Sequence, residues 1–166
     1  MTDELMSLYN RRQLDTVFDT EVRRARREAT RLTYYLIDVD CFKWINDYHG
    51  HPRGDEVLVW VAQMLQQLCR RPGDFVFRVG GDEFAVLVTK GSGSGVRGFG
   101  EMIRASIEQM HAPHEDGDAS RRLTVSIGAV SRVPGAQDSL GDYTKAADSM
   151  LYQAKAQGRN RVVSAQ

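Results

Sequence analysis

The chain has 166 residues, 42% of them hydrophobic and 27% charged, with 22 Lys plus Arg balanced by 22 Asp plus Glu. That balance excludes wholesale disorder, collagen-like structure and the global positive field of a nonspecific duplex binder. The longest apolar run, Val57 to Ala62, is far short of the ~20 residues of a membrane-spanning helix, and two cysteines, Cys41 and Cys69, are too few for a disulfide framework.

Residues 11–29 predict a helix, because Leu14, Val17, Phe18, Val22 and Ala25 recur at three- and four-residue spacings. Thr33 to Ile37 is aromatic and β-branched, a strand that runs into Asp38-Val39-Asp40. Cys41 to Tyr48 predicts a short helix closed by Gly50, and Gly54 to Cys69 a longer one with Leu58, Val61, Leu65 and Leu68 on one stripe. After the Pro72-Gly73 turn, Phe75 to Val79 and Phe84 to Thr89 read as strands joined at Gly80-Gly81, a pair that suits a tight primed turn with positive φ. Gly91 to Gly100 predicts a flexible loop, and Met102, Ile103, Ile107 and Met110 mark a helix after it. The polar stretch from His111 to Arg122 reads as loop. Leu123, Val125, Ile127 and Ala129 alternate with small or polar residues, as in a half-buried strand. Tyr143, Ala147, Met150, Leu151 and Ala154 give a last helix stopped by Gly158, before a short strand at Val162-Val163. The order predicts one α+β domain over residues 1–166. Its core is a ferredoxin-like β-α-β-β-α-β arrangement, a mainly antiparallel sheet flanked by helices, with an added helix in front.

Three acidic clusters stand out: Asp38-Val39-Asp40, Asn46-Asp47 and Asp82-Glu83. A single acidic residue at a strand end is most often merely solvated. In a ferredoxin-like sheet, however, the first strand and the hairpin can be neighbours, so Asp38 and Asp82 can share a site for a hard cation such as Mg²⁺. Gly80-Gly81 beside Asp82 leaves room for a ligand against the backbone. Lys155 and Arg159, four apart, can share a helix face and hold a polyphosphate, but taken by themselves they are better explained as cations complementing a helix C-terminus. Arg71 and Asp74 flank a turn, where such pairs are usually surface ion pairs. His49-Gly50-His51 lacks a third metal ligand at suitable spacing, and His111 and His114 carry no functional assignment.

Gly80-Gly81-Asp82-Glu83-Phe84 resembles, letter for letter, the signature of the GGDEF family of diguanylate cyclase domains. Further segments are similar to the family's pattern and in its order. They are Asp38-Val39-Asp40-Cys41-Phe42-Lys43-Trp44-Ile45-Asn46-Asp47, Gly50-His51-Pro52-Arg53-Gly54-Asp55, Ser126-Ile127-Gly128 and the closing run from Ala147-Asp148 to Gly158-Arg159-Asn160-Arg161. The opening motif departs from the pattern, with Met6-Ser7 where the family has Thr-Gly, and Val79 stands where an aromatic commonly precedes the glycines.

The resemblance implies a fold of the nucleotidyl-cyclase and polymerase-palm type. It implies a reaction in which two GTP-loaded copies meet as a transient antiparallel homodimer and form cyclic di-GMP and two pyrophosphates. It implies two Mg²⁺ per site, with Mn²⁺ as a substitute, held by Asp38, Asp82 and the Val39 carbonyl. Asp82 or Glu83 would take the 3′-hydroxyl proton, and Lys43 would stabilise charge at the phosphates. Asn46 and Asp55 would read guanine, with Phe42 and His51 beside that pocket, and Lys155 and Arg159 would hold the β- and γ-phosphates. Arg71 and Asp74 fall at the family's R-x-x-D site, where bound cyclic di-GMP restrains the enzyme. No nucleic-acid partner and no membrane contact are expected of this domain, and the expected compartment is the cytoplasm. The early position of the opening motif leads to the expectation of an output domain excised from a longer sensor protein, monomeric and weakly active alone, whose parent can be membrane-anchored. The competing expectation is a silent module that binds GTP or cyclic di-GMP and signals by contact. More distant is another metal-dependent phosphotransferase or nuclease, against which Asn46 and Asp55 argue.

Overall fold

The structure is a computed structural model that describes residues 8–91, 93, 95–110 and 122–165. Of the opening motif from Asp3 to Arg12, the part from Asp3 to Ser7 lies outside the described residues, as does the stretch 111–121, with His111 and His114. The chain runs α1 (Arg11–Glu28), β1 (Leu32–Val39), α2 (Phe42–His49), α3 (His51–Leu68), β2 (Asp74–Arg78), β3 (Glu83–Val88), α4 (Gly95–Glu108), β4 (Val125–Arg132), α5 (Leu140–Ala156) and β5 (Val162–Ala165). Asn10 starts α1 with a reciprocal capping box: its side chain accepts from the Gln13 N–H at 3.0 Å, and the Gln13 side chain accepts from the Asn10 N–H at 3.0 Å. Ser139 and Asp142 cap α5 in the same way.

The strands form a five-stranded sheet in the order β2-β3-β1-β4-β5. The first four are antiparallel neighbours in the ferredoxin-like order, and β5 adds in parallel beside β4. This confirms the predicted fold class. One face of the sheet meets α1 and α5 through Phe18, Tyr34, Leu36, Leu87, Tyr143 and Leu151. The other meets α3 and α4 through Tyr35, Ile37, Val61, Leu65, Ile103 and Ile127. Burying each such side chain contributes about 1.5–3 kcal/mol before entropy is counted. No helix among the described residues is long and apolar enough to cross a membrane.

Four sequence expectations need correcting. First, β4 is covered on both faces: all its residues but Arg132 are buried. Its alternation of large and small residues records how closely α5 lies. A Cβ at Gly128 would stand 2.9 Å from Leu151 Cα and closer still to the Ala147 carbonyl and the Leu151 amide. Second, the glycine-rich segment is only partly loop, since α4 begins at Gly95. Val96 is buried, the Tyr35 hydroxyl donates to its carbonyl at 2.7 Å, and a Cβ at Gly100 would meet Val162 at 2.9 Å. Glycine there serves close packing. Third, Gly80 and Gly81 do not take positive φ; among the described glycines only Gly50 and Gly158 do. The hairpin connection is longer than a primed two-residue turn, with both Val79 and Gly80 N–H donating to the Glu83 carbonyl. Fourth, α5 ends at Ala156, so Arg159 does not share its face with Lys155. Arg159 lies in the turn beyond, at φ 64°.

Candidate active site

The pleat of β1 decides which side chains meet. Tyr34 and Leu36 face α1 and α5, and Asp38 continues that alternation, so its carboxylate points towards α5. Asp38 pairs across the sheet with Glu83, the first residue of β3. The Val39 N–H donates to the Asp82 carbonyl at 3.1 Å, which locks the hairpin loop to the end of β1. Lys155, on the α5 face that carries Leu151, forms an ion pair with Asp38 Oδ2. The structure thus brings together Asp38, Val39, Asp82, Glu83 and Lys155, five of the residues singled out in the sequence.

The electrostatics show an excess of acid. Burial, then neighbouring Asp82, push the Asp38 carboxyl above its usual range against the pull of Lys155. Burial also pushes Glu83 up, helped by Asp38, Asp148 and Asp82. For Lys155, burial works against the charge, but hydrogen bonding and attraction to Asp38 outweigh it and raise the ammonium above its ordinary value. One ammonium therefore stands against several carboxylates. Asp38 Oδ1 is buried without a hydrogen-bond partner, which fits an oxygen that a cation would take. Among the described residues no cage of three or more His, Cys, Asp or Glu side chains forms. The candidate oxygens here are the Asp38 and Asp82 carboxylates and a backbone carbonyl, the kind of sparse set that would leave Mg²⁺ positions for water and phosphate.

The loop that carries Asp82 is held from behind. The Arg78 guanidinium donates to the Gly80 carbonyl at 3.2 Å and to the Gly81 carbonyl at 2.9 Å. A Cβ at Gly81 would meet nothing within 4 Å, so the protein leaves that side of the loop open. The sequence reading overlooked Arg78, although its short spacing from the glycines was a visible signal.

A second group forms where α2 meets α3. A Cβ at Gly54 would collide with Asn46 Oδ1 and stand 3.1 Å from the Phe42 ring, so Asn46 and Phe42 sit directly against the start of α3 that bears Asp55. Asp55, His51 and Lys43 are exposed. Lys43 lies in the first turn of α2, where unpaired backbone N–H groups favour anions.

Two readings of the acidic and basic clusters change. Asp40 does not join Asp38. It is buried and accepts from Ser126 Oγ at 2.7 Å, Thr124 Oγ1 at 2.8 Å and the Asn160 N–H at 3.1 Å. Its partners lie 84 to 120 residues away, beyond any local pattern. Arg71 and Asp74 close their turn through the backbone: the Arg71 N–H donates to Asp74 Oδ2 at 3.2 Å, and the Asp74 N–H to the Arg71 carbonyl at 2.9 Å. Asp74 opens β2 and Arg78 closes it, so this turn lies about 13 Å along the strand from the hairpin loop.

A family model described as the GGDEF domain of diguanylate cyclases matches residues 1–161. The chain is 37% identical over 162 residues to the diguanylate cyclase VdcA of Vibrio cholerae, covering 97% of this chain and 46% of that protein. It is 40% identical over 163 residues to the diguanylate cyclase DosC of Escherichia coli K12, covering 96% of this chain and 34% of that protein. The chain therefore spans less than half the length of these curated relatives. Among solved structures, the coiled coil and GGDEF domain of DgcB from Caulobacter crescentus, in complex with c-di-GMP, superposes with a TM-score of 0.89 at 32% identity, covering 99% of this chain and 85% of that one. The active GGEEF domain of a Vibrio cholerae diguanylate cyclase superposes with a TM-score of 0.86 at 31% identity, covering 96% of this chain and 98% of that one.

Proposed function

This chain belongs to the GGDEF family, the diguanylate cyclase domains, and from that membership we propose that it joins two molecules of GTP into cyclic di-GMP with release of two pyrophosphates. The observation that carries this reading is the convergence of Asp38, Asp82 and Lys155 at one end of the sheet, with Asp38 Oδ1 buried and unpaired. Asp38, Asp82 and the Val39 carbonyl would hold Mg²⁺, two ions per site, or Mn²⁺. The chemistry such ions would supply there is neutralisation of phosphate charge and easier ionisation of the attacking hydroxyl.

The protein's own groups do the rest. Asn46 and Asp55 accept from the guanine N1–H and N2–H₂ edge, which an adenine lacks, with Phe42 and His51 alongside. Lys43 and the first N–H groups of α2 meet the phosphates and stabilise charge that grows in the transition state. Lys155 exchanges Asp38 for the β- and γ-phosphates, and Arg159 joins it from the turn after α5. Asp82 or Glu83, adjacent on the hairpin, receives the 3′-hydroxyl proton. Because each nucleotide donates one 3′-oxygen and accepts one, two loaded copies face each other as an antiparallel homodimer. Cyclic di-GMP bound at Arg71 and Asp74, remote from the carboxylates, restrains the reaction. Use of GTP as substrate fits the cytoplasm as the domain's compartment.

The test is incubation with GTP and Mg²⁺, followed by chromatography of the products. Cyclic di-GMP and pyrophosphate should form, and Asp82→Ala should abolish both while unfolding as wild type does. Binding of GTP or cyclic di-GMP with no product at any protein concentration would favour the silent module and refute the cyclase reading.

A further inference from the structure

Asp40 follows Asp38 by two residues yet serves a different part of the chain. It is buried, 8% exposed, and two hydroxyls and a backbone N–H converge on its carboxylate from Ser126, Thr124 and Asn160. An ionised carboxylate only accepts, so it suits three donors, whereas a carboxamide would present its own hydrogens to them. The Asn160 N–H belongs to an unusual piece of backbone. Arg159 and Asn160 are consecutive non-glycine residues at φ 64° and 45°, a conformation that persists only where the surroundings impose it.

The Asn160 side chain is fixed as well. Its Oδ1 accepts from the Arg104 guanidinium at 2.9 Å, and its Nδ2 donates to Glu108 Oε2 at 2.9 Å, both on α4. Arg104 in turn pairs with Glu101 and Glu108. Asn160 is therefore gripped through its backbone by Asp40 and through its amide by α4. Arg159 is exposed and one residue earlier; its N–H donates to the Ala154 carbonyl at 3.0 Å and its carbonyl accepts from Arg161 Nε at 3.1 Å, so the grip on Asn160 fixes the chain where it leaves this turn.

We propose that Asp40 and Asn160 are positioning residues, which hold the left-handed turn after α5 so that Arg159 is presented to the nucleotide's phosphates. This rests on the reading above that Arg159 meets the triphosphate. The clamp acts without touching nucleotide, and it explains why Asp40 spends its lone pairs on the protein rather than on a cation.

The test uses 3′-deoxy-GTP with Mg²⁺, which lacks the attacking hydroxyl, and guanosine, which lacks phosphates. Binding of the first is followed by calorimetry and of the second by NMR. Asp40→Asn should weaken 3′-deoxy-GTP binding about tenfold, the order of one charge-assisted contact, with guanosine binding unchanged. Asn160→Gly keeps the backbone N–H and tolerates the left-handed angle, and it should weaken 3′-deoxy-GTP binding by a smaller factor. It decides the question if Asp40→Asn does not fold. Adding Arg159→Ala to either variant should weaken binding no further than Arg159→Ala does by itself. Parallel loss of both ligands, additive losses in the double variants, or wild-type 3′-deoxy-GTP affinity would overturn the inference. If Arg159→Ala itself binds 3′-deoxy-GTP as wild type does, the underlying placement of Arg159 falls and takes the inference with it. If Arg159→Ala weakens binding and the clamp variants do not, only the clamp is refuted.

Discussion

Replacing Gly128 by alanine tests how the site is assembled, because α5 carries Lys155 and rests on the sheet over this glycine. An added Cβ would stand 2.9 Å from Leu151 Cα, with the Ala147 carbonyl and Leu151 amide closer still. Carbon atoms pack comfortably at about 3.5–4.0 Å, so α5 must retreat by roughly 1 Å. The obstructing atoms are backbone, and no side-chain rotation relieves them. Overpacking of this kind costs about 1–3 kcal/mol, and in a chain of this size that lowers Tm by roughly 3–10 °C. Lys155 lies one turn beyond Leu151 on the same helix, so it withdraws from Asp38 and GTP binding weakens in step. Gly98→Ala is the control: its Cβ would meet nothing within 4 Å on α4, and better helix propensity should stabilise by about 0.5–1 kcal/mol. Thermal unfolding followed by circular dichroism reads both. A Gly128→Ala protein that melts with the wild type, or rises alongside Gly98→Ala, would show that α5 is not seated as tightly as described.

Lys155→Met removes the counter-charge of Asp38. The lysine side chain is 37% exposed, so solvent screening limits the loss to about 1 kcal/mol, and added Mg²⁺ should recover more thermal stability in the variant than in the wild type; equal gains would count against Asp38 as a cation ligand. Glu83 is pushed up from 4.5, first by burial and then by Asp38. A raised carboxyl contributes stability that is present below 4.5 and lost as pH rises through the folded value. Glu83→Gln should therefore gain on the wild type in metal-free urea titrations as pH climbs, and a difference that stays constant or shrinks would reverse the assignment. Arg71→Ala should raise the cyclic di-GMP concentration needed for inhibition, measured as initial rate against added product, and an unchanged inhibition curve would remove Arg71 from that site.

The sequence by itself carried the element order, the sheet class and the meeting of Asp38 with Asp82. Those rest on short-range signals: apolar spacing for α1 and α3, β-branched runs for β1, and a glycine pair between two strands. Chain order then made β1 and the hairpin neighbours. Element ends shifted by a few residues at most, except at α4, where Val96 and Gly100 dock against Tyr35 and Val162, contacts that no local pattern announces. The alternation in β4 resembles that of a strand with one exposed face, yet it comes from the approach of α5. Only tertiary structure separated Asp40 from Asp38, gave Lys155 its partner and turned Arg159 off the helix face. Periodicity reports which way a side chain faces within its own element. What it faces depends on pieces brought together across as many as 120 residues of chain, and that is fixed by packing and by buried polar groups finding partners.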